Sequence, residues 1–376
     1  MKKILYIANA RIPTEKAHGV AIMKMCEAFA LEGIEVELVV PKRSNPIKDD
    51  PFTYYGVERN FKITKVPVID LVSQLGKAGF FLEAGTYALS STIYCLLKKA
   101  DAFYGRDELA LGFMSLCKKN VIWEAHTAKK KWLVRGLLTR CLFLVVISNG
   151  LKEYYKSLGI SENKIFVAPS GVDLEKFSIE TSKQDARRAT GLPQDKKIIL
   201  YTGHLYSWKG ADVLAEAASK LGSDIVTVFV GGTEKDIANF RRKYGNIPNI
   251  MLLRHRAHGD IPLLLKAADV LVIPNSAKEE ISRVYTSPMK LFEYMASGTP
   301  MVASDLPSVR EILDDSTAFF FKSDDAENLA RVITRVLAHE KKREDNAQRS
   351  LEKAKQYSWN NRAMKIIELL KRKYTR

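Results

Sequence analysis

Short apolar, β-branched runs bounded by turn residues alternate along the chain with longer stretches of helical period, the pattern of βα units and parallel sheets. In the first half the predicted strands are KILYIA, EVELVV, FKITKV, DAFYG, NVIWEA, FLVVIS and KIFVAP; in the second they are KIILYTG, IVTVFVGG, NIMLLR, DVLVIP, PMVAS and AFFF. Two sets of strands predict two doubly wound α/β domains, with a cleft between them facing the carboxyl ends of both sets, where open α/β sheets take their ligands. The polar stretch SIETSKQDARRATGLPQDKK, with its Gly-Leu-Pro break, reads as connector plus short helix and places the boundary near Phe177, giving domains 1–177 and 178–358. In YSWNNRAMKIIELLKRKY, Trp359, Met364, Ile367 and Leu370 recur at helical spacing and predict an amphipathic terminal helix over 359–376. The sequence contains no solenoid-period repeat and no low-complexity segment.

The 376 residues, 46% of them hydrophobic, suffice for two cores. No apolar run reaches the ~18–20 residues of a membrane span, and MKKILYIANARIP reads as a first strand rather than a leader. Cys26, Cys95, Cys117 and Cys141 lie far apart, without the pairing of a zinc site or disulfide framework, which fits a cytoplasmic protein. A net charge of +16 invites an anionic partner: nucleic acid, a membrane face or a phosphorylated ligand. The excess is shared about equally by both halves, lacks the interleaved aromatics of a single-strand platform and accompanies no nucleic-acid motif, so nucleic acid is not expected. One local cluster stands out over residues 118–140: Lys118, Lys119, Lys129, Lys130, Lys131, Arg135 and Arg140 against Glu124 alone. With Trp132, Leu133, Leu137 and Leu138 beside it, the cluster suits the headgroups of the inner membrane face, and equally the solvated side of an ordinary helix.

Candidate chemistry concentrates in SPMKLFEYMASGTP. Ser287 reads as an N-cap, Pro288 as the first helical residue and Gly298 as the stop. Lys290 falls in the first turn, where the helix dipole disfavours a cation by ~0.3–1 kcal/mol unless an anion sits in front of it. Helix N–H groups, a serine hydroxyl and a lysine together describe a phosphate seat, and Glu293 one turn on is placed to accept hydrogen bonds from sugar hydroxyls. In YTGHLYSWKGADVLAEA a strand ends before Gly203, and Lys209-Gly210 precedes a helix with Asp212 as candidate cap, so Lys209 can reach the same diphosphate. This loop is neither a P-loop nor a GxGxxG turn, and NARIPTEKAHG after the first strand is a poor pyrophosphate turn. His18-Gly19 and His126 each follow a strand of the first domain. His255 and His258 read as a polar loop, three apart and without the carboxylates or cysteines a metal would want.

The segments VISNGLKEYYKSLGISENKIFVAPSGVDLEKF, TGHLYSWKGADVLAEA and SPMKLFEYMASGTPMVASDLPSVREIL resemble the retaining GT-B glycosyltransferases of family 4, the group 1 glycosyltransferases, in a subgroup carrying SPxKLFEYM. The resemblance runs from the first strand to the last helix. It implies two Rossmann-like domains, the first holding an acceptor and the second a nucleotide-sugar, a terminal helix crossing back to the first domain, and no metal or other cofactor. By position it implies that Lys209 contacts the donor diphosphate, that Glu293 binds the ribose, that His126 lies beside the transferred sugar and that Gly19 belongs to a loop over the donor. Gly203, His204, Ser287, Lys290 and Arg283 complete the implied donor site, with His18 at the loop. Two positions depart from the family pattern: Tyr285 stands where the first glutamate of the Glu-x7-Glu signature is expected, and His204 where an arginine is usual.

The expected reaction is transfer of a sugar from a nucleoside diphosphate to a glycan or lipid-linked acceptor with retained anomeric configuration. Its main demand is charge stabilisation on the leaving diphosphate, which Lys209, Lys290 and the helix front would meet. Two other readings remain open at this point: a nucleotide-sugar epimerase of the same fold, and a non-catalytic sugar-binding or nucleic-acid-binding protein.

Overall fold

The computed structural model describes residues 1–374, so the last two positions of the helix expected over 359–376 lie outside the described residues. All the predicted strands form. The first unit carries β1 (Lys3–Ile7), β2 (Glu35–Pro41), β3 (Lys62–Val66), β4 (Ala102–Gly105), β5 (Val121–Ala125), β6 (Phe143–Val146) and β7 (Ile165–Val167) in the order β3-β2-β1-β4-β5-β6-β7. The second carries β8 (Lys197–Thr202), β9 (Ile225–Val230), β10 (Ile250–Leu253), β11 (Val270–Ile273), β12 (Met301–Ser304) and β13 (Phe319–Phe321) in the order β10-β9-β8-β11-β12-β13. Every neighbouring pair is parallel, as in the Ile4↔Val36 and Ile4↔Ala102 registers. Both orders reverse direction beside the first strand of the unit, the switch point of a doubly wound sheet. Seven helices matter below: α1 (Ala17–Leu31), α2 (Lys77–Leu96), α3 (Glu108–Met114), α4 (Lys131–Arg140), α5 (Ala211–Ala218), α6 (Met289–Ala296) and α7 (Trp359–Tyr374).

The strands read as unbroken apolar runs because helices cover both faces of a parallel sheet. In the second unit the two-residue alternation divides the core. Ile198, Leu200, Val228 and Leu271 face Leu291, Phe292 and Met295 of α6, while Ile199, Tyr201, Phe229 and Val272 face Leu214 and Ala215 of α5. One unit spans 1–170 together with α7, and the other spans Gly171–Ser358. The boundary therefore precedes the expected position near Phe177. Phe177, 1% exposed, packs in the core of the second unit, and the Val172 N–H donates to the Tyr357 carbonyl at 2.9 Å, so the chain enters and leaves that unit side by side.

The terminal helix α7 packs on α1 through Trp359, Ala363, Ile366, Ile367 and Leu370, all buried. Met364, expected on that apolar face, is 39% exposed, because the stripe runs through Ala363 and Ile366 instead. Two helix starts also differ from expectation. Pro288 occupies the cap position of α6, with φ −72° and ψ 127° and no side-chain cap, so Ser287 lies one residue outside the helix. Gly210, in left-handed backbone at φ 72°, occupies the cap position of α5, and Asp212 becomes its second residue. Only glycine fits there: a Cβ would stand 1.7 Å from the Pro274 carbonyl oxygen.

Candidate functional site

In the second unit the candidate groups gather at the carboxyl ends of β8 and β11 and the start of α6. The loop after β8 is fixed by two tyrosines. Tyr294 of α6 accepts the Thr202 N–H at 2.8 Å, and the Tyr201 hydroxyl donates to the His204 carbonyl at 2.7 Å. Gly203, at φ 131°, donates its N–H to Val230 at 2.9 Å, and the His204 ring stacks on Tyr206 at 5.0 Å and 3°. A short 3₁₀ turn, Ser207–Lys209, then delivers Lys209 beside the rings of Tyr206 and Trp208. The Trp208 carbonyl accepts the Ser276 N–H at 3.0 Å, tying this turn to the loop after β11.

Lys290 rises from the first turn of α6, its ammonium 4.2 Å from the Tyr201 ring centroid. That Nζ is buried and makes no hydrogen bond among the described residues, although part of the side chain reaches the surface. Burial, and then the charge of nearby Lys209, hold the Lys290 ammonium well below the ordinary lysine range, with Glu293 pulling the other way. Burial likewise brings Lys209 down to about 8. Two lysines from separate segments thus feel each other's charge, and among the described residues no carboxylate forms an ion pair with either. Pro288, the cap residue, makes no side-chain cap hydrogen bond, so the Met289 and Lys290 N–H groups at the front of α6 have no partner within the helix. Such an arrangement of buried ammonium groups is suited to an anion with several oxygens.

Glu293, 7% exposed, lies one turn behind Lys290 and meets His258 Nε2 at 2.9 Å. His258, read from sequence as part of a polar loop, is thus the partner of the Glu293 carboxylate. Its ring also lies 5.4 Å from that of Phe177. Before α6 runs a π-helical turn, Ile281–Tyr285, a form frequent at functional sites. It buries Tyr285, while Arg283 is exposed on it. Ser287 is buried at 7% exposure between this turn and α6. Asn275, just beyond β11, is 1% exposed, and neither of its amide atoms has a hydrogen-bond partner among the described residues.

In the first unit a cavity of about 310 Å³ opens at the carboxyl ends of the strands, lined among others by Asn9, His18, Arg106, Glu124, His126 and Lys129. Beneath it lies a charge cluster centred on Glu124, which is fully buried. Its Oε1 meets Arg106 at 3.0 Å and His126 Nε2 at 2.5 Å, while its Oε2 meets Arg362 of α7 at 3.1 Å and accepts the Tyr104 hydroxyl. Burial opposes ionisation of Glu124, but Arg362 and Arg106 outweigh it and hold the carboxyl well below the usual range. Burial, then Arg106, push His126 down to about 4 against the pull of Glu124, so the imidazole is neutral at physiological pH. Arg362 also donates to the carbonyls of Pro169 at 2.9 Å and Ala168 at 3.2 Å, fastening α7 to the end of the first unit.

His18 and His126 therefore share one cavity, as their positions after strands suggest. Gly19 belongs not to a loop but to the first turn of α1. A Cβ there would lie 2.2 Å from the Tyr55 hydroxyl, which accepts the Thr14 N–H at 2.6 Å and donates to the Thr14 carbonyl at 2.9 Å. The glycine is required by this packing. The Glu124–Arg106–Arg362 cluster escaped sequence reading: each is an ordinary charged residue in sequence, and only the fold brings Arg362 of the terminal helix to the other two. Among the described residues no three His, Cys, Asp or Glu side chains gather as a metal site needs.

Residues 18–176 match the model of Glycosyltransferase Family 4, and residues 182–353 that of Glycosyl transferases group 1. Over 221 residues the chain is 28% identical to a D-inositol 3-phosphate glycosyltransferase of Corynebacterium urealyticum, covering 55% of this chain and 50% of that one. It is 29% identical over 217 residues to an Escherichia coli UDP-Gal:alpha-D-GlcNAc-diphosphoundecaprenol alpha-1,3-galactosyltransferase, covering 55% and 54%. The chain thus spans about half the length of the curated relatives it matches. In fold it is similar to Anabaena HepE in complex with UDP-glucose, with a TM-score of 0.78 and 15% identity over 99% of this chain and 100% of that one.

Proposed function

Since this chain belongs to the group 1 glycosyltransferases of family 4, with both of its halves matched, we propose that it transfers a sugar from a nucleoside-diphosphate sugar to a glycan or lipid-linked acceptor with retained configuration. The observation that carries this reading is the pair Lys209 and Lys290, one brought down to about 8 and the other buried without a hydrogen-bond partner, at the uncapped front of α6. A seat of this kind is complementary to a diphosphate. Charge that grows on the diphosphate as the glycosyl bond breaks is met by groups already in place, with no reorganisation at the moment of reaction. Glu293, held by His258, accepts the ribose hydroxyls of the donor. Gly203, His204, Ser287 and the exposed Arg283 line the approach.

His126, neutral and fixed by Glu124, offers a hydrogen bond to the transferred sugar without adding a positive charge beside an oxocarbenium-like centre. His18 and the Asn9 amide share its cavity, which is the acceptor side. The departing phosphate oxygen takes the acceptor's proton, so neither a side-chain base nor a resident metal is part of the scheme. The names of the relatives, acting on inositol 3-phosphate and on a diphosphoundecaprenol-linked sugar, support an acceptor bearing phosphate and a role in cell-surface glycan or glycolipid synthesis. No helix among the described residues is long and apolar enough to cross a membrane. We place the protein in the cytoplasm, meeting an anionic membrane surface through the 118–140 cluster.

The test is incubation with UDP-hexoses and a lipid-diphosphate-linked glycan, reading product configuration by NMR. An α-linked product from an α-linked donor is expected. Free epimerised nucleotide-sugar, or an inverted linkage, would refute the reading.

A further inference from the structure

Helices α2, α3 and α4 lie side by side on one face of the first sheet, and each turns an apolar stripe outward. On α2 the core side holds Glu83, Tyr87, Ser91 and Cys95, while the opposite side, where an ordinary surface helix is polar, holds Leu82, Leu89, Ile93 and Leu96, all exposed. From α3 onward Leu109, Phe113 and Leu116 recur at intervals of four and three residues and are also exposed. At the start of α4, Trp132 is 74% exposed and Leu133 56%, whereas Leu137 and Leu138, expected to join them, are buried. Contiguous apolar surface of this kind on a soluble domain marks a binding face.

Charge identifies the occupant. Between residues 71 and 148 the carboxylates are Glu83, Asp101, Asp107, Glu108 and Glu124. Glu83 and Glu124 are buried, Asp101 accepts the N–H groups of Lys2 and Lys3, Asp107 caps α3, and Glu108 pairs with Lys129 at 2.5 Å. Each is therefore buried or already engaged. Lys77, Lys99, Lys119, Lys130, Lys131, Arg135 and Arg140 are all exposed at the ends and rims of the three helices, and no ion pair is formed by any of them among the described residues. A second copy docked through this face would bring the same uncompensated cations against themselves. A sheet of phospholipid offers acyl chains for the stripe and anionic headgroups for the rim, with long basic side chains reaching outward to the phosphates.

We propose that this three-helix face inserts into the acyl–headgroup boundary of an anionic bilayer, its hydrocarbon anchor being α2 and α3 and the basic cluster of α4 its rim. The proposal deepens the membrane part of the reading above by naming the face that docks, and it requires no statement about the donor or the reaction. The test is co-sedimentation of the full chain with vesicles of phosphatidylcholine alone and of phosphatidylcholine mixed with phosphatidylglycerol. The wild type is compared with a variant carrying Leu89→Ser, Ile93→Ser, Phe113→Ser and Leu116→Ser, and with one carrying Lys119→Ser, Lys130→Ser and Lys131→Ser. All four apolar positions are exposed, so the first variant keeps its circular dichroism and its thermal shift with UDP. The wild type is expected to prefer mixed vesicles. The apolar variant should lose roughly tenfold or more of its partitioning at every salt concentration, and the lysine variant only its preference for phosphatidylglycerol. Three results would overturn the proposal: an apolar variant that sediments like the wild type, a wild type that ignores both vesicles, or a wild-type dimer that the apolar substitutions turn into a monomer. A UDP shift that survives while vesicle binding fails would sink this proposal alone. Vesicle binding without any UDP shift would instead sink the donor-site reading.

Discussion

Replacing Lys290 by methionine should stabilise the ligand-free protein while weakening its affinity for a diphosphate. The buried ammonium has no hydrogen-bond partner among the described residues, and leaving a buried polar donor unmet costs about 1–3 kcal/mol, more for a charge. The Tyr201 ring at 4.2 Å returns about 0.5–2 kcal/mol of this. Methionine fills the same volume without either term, so the free variant gains about 1 kcal/mol, or about 2–4 °C for a unit of this size. On the ligand side a hydrogen bond to a charged group is worth about 1.5–3 kcal/mol, so affinity for a diphosphate falls roughly 10- to 150-fold. At a UDP concentration that stabilises the wild type by about 2.7 kcal/mol, the variant retains about 1.4 kcal/mol or less. The pH dependence has a definite sign. Between the depressed folded value of Lys290 and its ordinary 10.5, the unfolded chain binds more protons than the folded one, so wild-type stability rises with pH across that window; the variant loses the Lys290 share of this slope and keeps the share that Lys209 contributes above about pH 8. Differential scanning fluorimetry with and without UDP, repeated across pH, measures all three effects. A variant that melts lower than the wild type and shows an undiminished UDP shift would refute the reasoning.

Three other perturbations follow from the same geometry. Arg362→Met removes one of two arginines from fully buried Glu124 and should cost about 3–5 kcal/mol in urea unfolding of the first unit, with little effect on UDP binding; an unchanged midpoint would contradict the Glu124 cluster as drawn. Gly210→Ala forces a Cβ to within 1.7 Å of a carbonyl oxygen in left-handed backbone, so a loss above about 2 kcal/mol together with a weaker UDP shift is expected. Burial raises Asp107 to about 6, so from about pH 4 to about pH 6 the folded chain holds a proton the unfolded chain has lost, and stability declines across that window. Asp107→Asn, which keeps an N-cap side chain on α3, should flatten that decline in melting curves taken across pH.

The strands were legible in sequence because buried parallel strands are short apolar runs, rich in β-branched residues, that stop at turn residues. Lys290 drew notice in sequence because a cation in a helix's first turn opposes the dipole, and Lys209 and Glu293 because they stand after a strand and one turn further along that helix. What escaped depended on three dimensions. Whether Ser287 or Pro288 caps α6 is decided by backbone angles, and whether Gly19 serves a loop or a helix contact is decided by Tyr55. Arg362 and Glu124 lie far apart in the chain, so no local pattern could join them. The apolar face of α2 and α3 looks in sequence like a core face, because a leucine carries no mark of which side of its helix meets the sheet. Leu137 and Leu138 against Trp132 and Leu133 make the same point within a single helix.

The account rests on a diphosphate seat made of two lysines whose pKa values burial lowers, so that an arriving anion favours their charged forms. Calorimetry of UDP binding near pH 8, where Lys209 titrates, in buffers of different ionisation enthalpy reads this directly. Net proton uptake on binding is predicted for the wild type, reduced in Lys290→Met and absent when Lys209 is also replaced. Equally tight binding by that double variant, or binding by the wild type with no proton exchanged, would contradict it.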